Sequence, residues 1–334
     1  MEITLTGITT TGTPHLGNYV GAILPAIEAS RRKDVQSFYF LADYHALVKC
    51  QDPAQVHRSR LEVAATWLAL GLDVENVIFY AQTDIPEILE LTWMLTCVTA
   101  KGLMNRAHAY KAAVAENLAD PDKDPDKGVT MGLFCYPILM AADILMFKAN
   151  KVPVGKDQIQ HLEMARDIAA RFNYLYGEHF PLPEAVVDER AAVLVGLDGR
   201  KMSKSYGNTI PLFEPEKALR KLIMRIKTNS LPPEAPKDPE TCILFQIYQA
   251  FATAEESAAL RVRYAEGIAW GEMKQLLFEY LNVRLSEPRQ RYHELLKAPD
   301  HIESILKRGA IRAREHSAPF LQELRRAVGI RPLQ

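Results

Sequence analysis

Residues 3–21 read Ile-Thr-Leu-Thr-Gly-Ile-Thr-Thr-Thr-Gly-Thr-Pro-His-Leu-Gly-Asn-Tyr-Val-Gly, an apolar and β-branched run that passes into a glycine-rich turn. The run Glu2–Leu5 predicts a β-strand, and the glycines predict a tight connection to an amphipathic helix. A helix N-terminus offers unpaired N–H groups to an anion, and His15 and Asn18 can add hydrogen bonds to phosphate oxygens. A tight turn without any ligand explains the glycines equally well.

Four further runs of strand length follow, separated by long helix-like stretches. They are Ser37–Leu41, Val77–Tyr80, Lys151–Val154 and Ala192–Val195. Alternation of strand and helix predicts a parallel sheet with right-handed crossovers. We therefore expect an α/β, Rossmann-like doubly wound fold that binds ligands outside the carboxyl ends of its strands.

The pattern divides the chain into two predicted domains. Residues 1–210 form the Rossmann-like domain, with a helical insertion at about 84–127 that is rich in Leu, Met and Ala and lacks a strand pattern. Pro211 and Pro215 mark a change of composition, and the pattern after them is helical. Residues 211–334 are therefore predicted to form an all-α domain.

Composition is that of an ordinary globular protein. The 334 residues carry 40 Lys and Arg against 41 Asp and Glu, with 48% hydrophobic and 24% charged residues, which excludes disorder, collagen and coiled coil. Without a strong positive charge, a nucleic-acid partner must be met by local patches. Residues 301–334 hold seven basic and three acidic side chains, a balance that a solvated helix face explains as well as RNA binding does.

The cellular location and the state of the cysteines can be predicted from apolar runs and from cysteine spacing. The N-terminal residues lack the features of a signal peptide and no apolar run reaches the length of a membrane span, so we expect a cytoplasmic protein without a membrane partner. Cys50, Cys97, Cys135 and Cys242 are too far apart in sequence to form a CxxC pair, so free thiols and no metal site are predicted.

A second motif lies at Gly199–Gly207, which reads Gly-Arg-Lys-Met-Ser-Lys-Ser-Tyr-Gly. Lys201 and Lys204 are compact charges on flexible stems, suited to a polyphosphate, although two solvated lysines are the commoner meaning of such a run. The five residues from Lys201 resemble the KMSKS loop of class I aminoacyl-tRNA synthetases. His15-Leu-Gly-Asn18 then resembles the HIGH signature of the same class, in the expected order.

A third motif is the apolar helical run from Tyr136 to Phe147. We expect Pro137 to occupy the first turn of a helix that carries Tyr136, Met140, Asp143 and Phe147 along one face. A carboxylate in so apolar a run needs a donor, and an indole N–H, which donates and cannot accept, would satisfy Asp143. A helix N-cap role or an arginine partner would also explain this aspartate.

Together with the strand, glycine turn and helix that follow at 152–167, these motifs resemble the bacterial tryptophanyl-tRNA synthetases. The resemblance runs from Gly7 to about Ser205 and is weaker beyond. The related tyrosyl enzymes share the plan but commonly place Gln where this chain has Met140. The family resemblance implies a Rossmann-like catalytic domain followed by a helical domain that binds tRNA and its anticodon.

The resemblance also implies residue roles. For tryptophan these are Asp143 at the indole N–H, Met140 against the ring, Tyr136 and Gln158 at the ammonium group, and His45 beside the pocket. For ATP they are Thr9, Thr10, Thr11, Gly17, Asn18, Lys111, Gly155, Lys156, Asp157, Val193, Lys201, Met202, Ser203, Lys204 and Ser205. Those implied in catalysis are His15, Asn18, Lys201, Ser203 and Lys204.

The implied reaction joins L-tryptophan and ATP to tryptophanyl-adenylate and pyrophosphate, with Mg²⁺ as a helper, and then transfers the acyl group to tRNA(Trp). We expect no DNA partner, and a homodimer formed through the apolar helical segment Ile88–Leu103. Three alternatives stay open at this point. They are a tyrosyl-tRNA synthetase-like enzyme, a small-molecule nucleotidyltransferase, and a synthetase-like binding protein without charging activity.

Overall fold

The computed structural model describes residues 2–155, 158–187 and 194–331. Over these residues the sheet has five parallel strands: β1 (Glu2–Thr9), β2 (Val35–Ala42), β3 (Ile78–Ala81), β4 (Lys151–Pro153) and β5 (Glu184–Val186). The strand order is β3-β2-β1-β4-β5, so the direction of winding reverses between β1 and β4. In open parallel sheets the crevice at such a reversal is where ligands bind.

Helices connect and cover the strands. Between β1 and β4 lie α1 (Leu16–Asn18), a π-helical turn (Tyr19–Ile23), α2 (Leu24–Ser30), α3 (Asp43–Ala46), α4 (Pro53–Ala69), a 3₁₀ turn (Gln82–Asp84), α5 (Pro86–Val98), α6 (Lys101–Met104), α7 (His108–Leu118) and α8 (Met131–Met146). After β4 come α9 (Ile159–Tyr176), a 3₁₀ turn (Lys204–Tyr206), α10 (Glu216–Met224), α11 (Ile243–Gln249), α12 (Ala254–Glu266), α13 (Trp270–Leu296) and α14 (Pro299–Ala327).

The interior strand β2 separates two hydrophobic cores, because successive side chains of a strand point to opposite faces. Phe38 and Phe40 pack into the core shared with α5, α8 and α9. Tyr39 and Leu41 pack into the other core, where the Trp67 ring of α4 lies 5.3 Å from that of Tyr39. This second core continues into α10, α11 and α13, so the C-terminal helices are joined to one face of the sheet.

Helix α14 covers β3, the strand at one edge of the sheet. A side chain at Gly309 would overlap the carbonyl oxygen of Phe79, so only glycine lets the helix come this close. Further along the helix, Arg312 donates to the carbonyl oxygens of Val74 and Val77, each at 3.0 Å. A covered edge cannot pair with another chain.

The predicted α/β fold with helical C-terminal part is confirmed, and the segment at 84–127 is helical as expected. The strand predicted at Ala192–Val195 is wrong. The fifth strand is β5, while Val195 forms an isolated antiparallel bridge with Lys201 and residues 192–193 lie outside the described part of the chain. Short and exposed along its length, β5 has no apolar pattern to reveal it. The domain boundary near Pro211 stays a prediction.

The prediction for Pro137 is also wrong, because it lies in the interior of α8. The helix begins at Met131, where the Thr130 hydroxyl accepts the N–H of Leu133 at 3.2 Å. All four cysteines are free thiols, as predicted. Over the described ranges, none of the helices combines the length and apolar character needed to cross a bilayer.

Candidate active site

The turn after β1 is built around the start of α1. The Nδ1 atom of His15 accepts the Asn18 N–H at 3.3 Å, and the Asn18 side-chain oxygen accepts the His15 N–H at 3.2 Å. This reciprocal cap places the proton of the neutral imidazole on Nε2. Burial, helped by the nearby Lys204 cation, lowers the pKa of His15 to about 4, so the ring is neutral at physiological pH.

The second motif lies directly against this turn. The Leu16 N–H donates to the Ile210 carbonyl at 2.9 Å, and the Leu212 N–H donates to the Pro14 carbonyl at 3.0 Å. The Lys204 ammonium donates to the Thr11 carbonyl at 2.9 Å, and its partial burial there lowers its pKa. The structure therefore brings together the two motifs that the sequence placed almost 190 residues apart.

A buried carboxylate marks the other half of the site. Asp143 of α8 is only 1% exposed, and its Oδ2 lies 2.8 Å from Nε2 of His45. The amide of Gln82 donates to its Oδ1 and Oδ2 at 2.7 and 3.0 Å. Burial raises the pKa of Asp143, and the His45 and Gln82 hydrogen bonds oppose that rise. Within the described ranges, Asp143 is neither a helix cap nor paired with an arginine, so neither alternative explanation is supported.

The face of α8 that carries Asp143 also presents Met140 and Tyr136, both half-buried. The Tyr136 hydroxyl lies 2.6 Å from Nε2 of His161, and Nδ1 of His161 lies 3.0 Å from the side-chain oxygen of Gln158. One buried histidine thus links the two residues predicted to meet the substrate ammonium group. The Tyr136 and His45 rings are 6.3 Å apart, which connects this group to the Asp143 carboxylate.

Other predicted residues lie around the turn and the loop. Thr9 is exposed at the end of β1, and the buried Thr10 hydroxyl has no hydrogen-bond partner within the described ranges. Met202 is buried and its N–H donates to the Leu194 carbonyl at 2.9 Å. The Ser203 and Ser205 hydroxyls are hydrogen-bonded to each other at 2.8 Å, and Lys201 is exposed.

The remaining predicted residues are less tightly joined. Gly155 follows β4, and its carbonyl accepts the N–H of Gln158 at 2.9 Å. Gly17 lies against the His15 ring, where an added side chain would be crowded. Lys111 is an exposed residue of α7 without a hydrogen bond or ion pair to another candidate residue of the described chain. Lys156, Asp157 and Val193 lie outside the described residues.

Gln82 is a site residue that the sequence argument missed. It is fully buried, its amide donates to Asp143, and its side-chain oxygen accepts the Tyr44 N–H at 3.1 Å. A signal was present, because Gln82 is the first polar residue after the buried strand β3. Polar residues at the carboxyl ends of parallel strands are placed where ligands bind.

Sequence comparison places this architecture in a known family. The sequence model of the family "tRNA synthetases class I (W and Y)" matches residues 2–286. The chain is 65% identical to the tryptophan–tRNA ligase of Pseudomonas aeruginosa, covering 99% of this chain and 74% of that protein. It is 59% identical to the tryptophan–tRNA ligase of Neisseria meningitidis, covering 99% of this chain and 98% of that protein.

Solved structures agree with the sequence relatives. The crystal structure of tryptophanyl-tRNA synthetase from Campylobacter jejuni, complexed with ADP and tryptophan, superposes with a TM-score of 0.89 at 44% identity. The match covers 98% of this chain and 99% of that one. By sequence and by fold, this chain belongs to the class I tRNA synthetases of the tryptophan and tyrosine group and, within them, to the tryptophan–tRNA ligases.

Proposed function

We propose that this chain activates L-tryptophan with ATP, forming tryptophanyl-adenylate and pyrophosphate, and then esterifies tRNA(Trp). The observation that carries the proposal is the buried Asp143 carboxylate, held by His45 and Gln82 beside the carboxyl ends of β2 and β3. The glycine turn follows β1, the next strand of the same sheet. The proposed indole acceptor and the proposed phosphate-binding turn therefore lie at the same side of the sheet, where the strands have their carboxyl ends.

At the indole end, Asp143 would accept the N–H of tryptophan while Met140 packs against the ring. Because the carboxylate already has donors in His45 and Gln82, it stays oriented before substrate arrives. Tyr136 and Gln158 would meet the ammonium group. Phenylalanine and leucine have no N–H to offer Asp143, so they bind without compensating it, and selectivity does not need an editing step.

At the phosphate end, the chain's own chemistry is electrostatic. The carboxylate of tryptophan is already the nucleophile, so no side-chain general base is needed, and the protein has to align it with the α-phosphorus. Lys204 and Lys201 would stabilise the negative charge that moves onto the departing pyrophosphate. Neutral His15, with its hydrogen on Nε2, would donate to a phosphate oxygen, and Asn18 holds that tautomer through the cap. Thr9, Thr10, Thr11 and Gly155 keep their proposed ATP contacts, as do Lys156, Asp157 and Val193 outside the described residues.

Mg²⁺ fits this site as a companion of ATP. In the part of the chain that the structure describes, no group of three or more His, Cys, Asp or Glu side chains is arranged to hold a metal ion. Magnesium commonly keeps several waters and binds substrate phosphates, so we propose that it arrives on the nucleotide. When bound there, it neutralises part of the phosphate charge.

The remaining parts of the proposal concern partners. We propose that residues 211–334 form the domain that binds tRNA(Trp) and its anticodon, and that the protein acts as a cytoplasmic homodimer. Support for the dimer comes from α5, whose inner face is buried while Leu89 and Trp93 on its outer face are 41% and 70% exposed. Exposed large apolar side chains on one helix face are typical of a protein contact.

Tryptophan-dependent exchange of pyrophosphate into ATP, with tyrosine in a parallel reaction, tests the function. We expect exchange with tryptophan and little with tyrosine, followed by tryptophan acceptance by tRNA(Trp). Preference for tyrosine would assign the chain to the other branch of the family. Exchange that needs no amino acid would indicate a nucleotidyltransferase, and its complete absence would indicate a protein that binds without charging.

A further inference from the structure

Asn208 is a buried polar residue that follows the Lys201–Lys204 motif and has no role in the activity described above. Its side chain is 3% exposed, yet every polar group of its amide has a partner. The oxygen accepts the Ser203 N–H at 2.8 Å. The nitrogen donates to Oδ1 of Asp198 at 2.7 Å and to the carbonyl of Lys201 at 3.1 Å.

These contacts hold both sides of the lysine motif. One amide reaches the carbonyl of Lys201 and the N–H of Ser203, which directly precedes Lys204. The Asn208 backbone is fixed as well, since its carbonyl accepts the Leu197 N–H at 3.0 Å. A side chain at Gly196 would overlap the amide of Asn208, so the loop closes tightly around this residue.

Asp198 completes the arrangement from the other side of the loop. The Arg200 guanidinium is hydrogen-bonded to Asp198 at 2.7 Å and lies 4.4 Å from the centre of the Tyr206 ring. The hydrogen bond from Asn208, with those from Arg200, lowers the pKa of Asp198 to about 2. Asp198 is therefore an ionised acceptor at physiological pH, and the Asn208 amide and the Arg200 guanidinium are its donors.

We propose that Asn208 is a positioning residue for adenylate formation, fixing the loop so that Lys201 and Lys204 face the phosphates. This inference rests on the proposed role of the two lysines. An amide suits the position because it combines one acceptor with two donor hydrogens, whereas a carboxylate only accepts. Asn208 acts through the lysines and contacts no substrate itself.

The test is a cycle of three variants: Asn208→Asp, Asp198→Asn and the double variant. Asn208→Asp keeps an acceptor for the Ser203 N–H but sets a second carboxylate against Asp198, where like charges repel. Asp198→Asn keeps an acceptor for the Asn208 amide. Its rate therefore shows the effect of losing the ion pair between Arg200 and Asp198 alone. In the double variant, the amide introduced at 198 can donate to the carboxylate introduced at 208, with the polarity reversed.

We expect Asn208→Asp to slow adenylate formation by roughly 10- to 100-fold, since a misplacement of about 1 Å can cost about 10²-fold. Tryptophan binding without ATP and transfer from preformed adenylate should stay near wild-type values, while the melting temperature falls because a buried amide has lost its partners. The double variant should recover to the rate of Asp198→Asn. Asn76→Asp is the matched control, because the Asn76 amide likewise donates to two acceptors, the carbonyls of Ser30 and Arg32. Asn76 lies before β3, at the amino end of that strand and away from the site.

Adenylate formation at the wild-type rate in Asn208→Asp overturns the proposal. It is equally overturned if the double variant stays as slow as Asn208→Asp, because the hydrogen bond between positions 198 and 208 then has no influence on the rate of adenylate formation. A loss of tryptophan affinity and of transfer in parallel with adenylate formation would make Asn208 a general support of the fold and also overturn the proposal. Wild-type protein without tryptophan-dependent exchange would instead refute the proposed function.

Discussion

Replacing Asp143 by alanine removes the acceptor at the centre of the proposed indole pocket. The wild-type carboxylate is buried and receives hydrogen bonds from His45 and from both contacts of the Gln82 amide. Gln82 is itself fully buried, so its amide cannot turn to water when the carboxylate is gone. The Asp143→Ala variant therefore loses both an indole acceptor and the partner of a buried donor.

The two losses affect different measurements. A stranded buried donor costs about 1–3 kcal/mol, which lowers the free energy of unfolding. A hydrogen bond to a charged group is worth about 1.5–3 kcal/mol, and at about 1.4 kcal/mol per tenfold this weakens tryptophan binding by roughly 10- to 150-fold. Phenylalanine has no N–H to lose, so its binding should change little. The tryptophan-over-phenylalanine preference should fall by the same factor.

Competitive ATP–pyrophosphate exchange with tryptophan and phenylalanine measures this preference, and ATP affinity is measured in parallel. Asp43→Asn is the matched control, because Asp43 is also buried and accepts the N–H and hydroxyl of Thr83 at 3.1 and 2.7 Å. We expect the control to lower the melting temperature without changing the preference. An unchanged preference in Asp143→Ala would return this residue to a purely structural role.

Three further predictions concern the phosphate turn and the assembly. Lys204→Ala should slow adenylate formation by ~10²–10³ while tryptophan affinity and transfer to tRNA stay nearly constant, and equal slowing of both half-reactions would contradict this. Because the folded pKa of His15 is about 4, the unfolded chain binds the proton first, so stability falls as the pH drops from about 6.5 to about 4. His15→Asn keeps a capping acceptor, and denaturant titrations should find its loss over this range smaller by about 1–3 kcal/mol. Sedimentation at micromolar concentration should find a dimer that Trp93→Glu weakens, and a fully active wild-type monomer would refute the dimer.

The fold could be predicted because each of its strands and helices is a continuous segment with its own pattern. The motifs His15–Asn18 and Lys201–Ser205 could be predicted for the same reason, since each is continuous in sequence. Alternating strands and helices determine a parallel sheet, and the ends of parallel strands determine where a glycine turn lies. The burial of Asp143 was likewise predictable, since the apolar run around it leaves a carboxylate no exposed face. These predictions needed only the local pattern of apolar and polar residues and the spacing at which it repeats.

What the sequence did not reveal depends on contacts between distant segments. Gln82 reaches Asp143 across 61 positions, and no local pattern pairs the two. Asn208 follows a recognisable motif, but its proposed role as a positioning residue depends on the hydrogen bond to Asp198, which lies on the other side of the loop. The general preference of proline for a first turn predicts Pro137 at a helix start, but tertiary packing of the surrounding apolar residues overrides that preference inside α8.

The covering of β3 by α14 has a consequence for how the protein is made. Arg312 closes onto Val77 across 235 positions, so the ribosome must add that much chain before the strand acquires its cover. At about 5–20 residues per second, β3 waits roughly 10–50 s with an open side. During that interval, nascent chains on neighbouring ribosomes can pair through β3. Synthesis in cells should therefore depend on chaperones that shield the unfinished sheet.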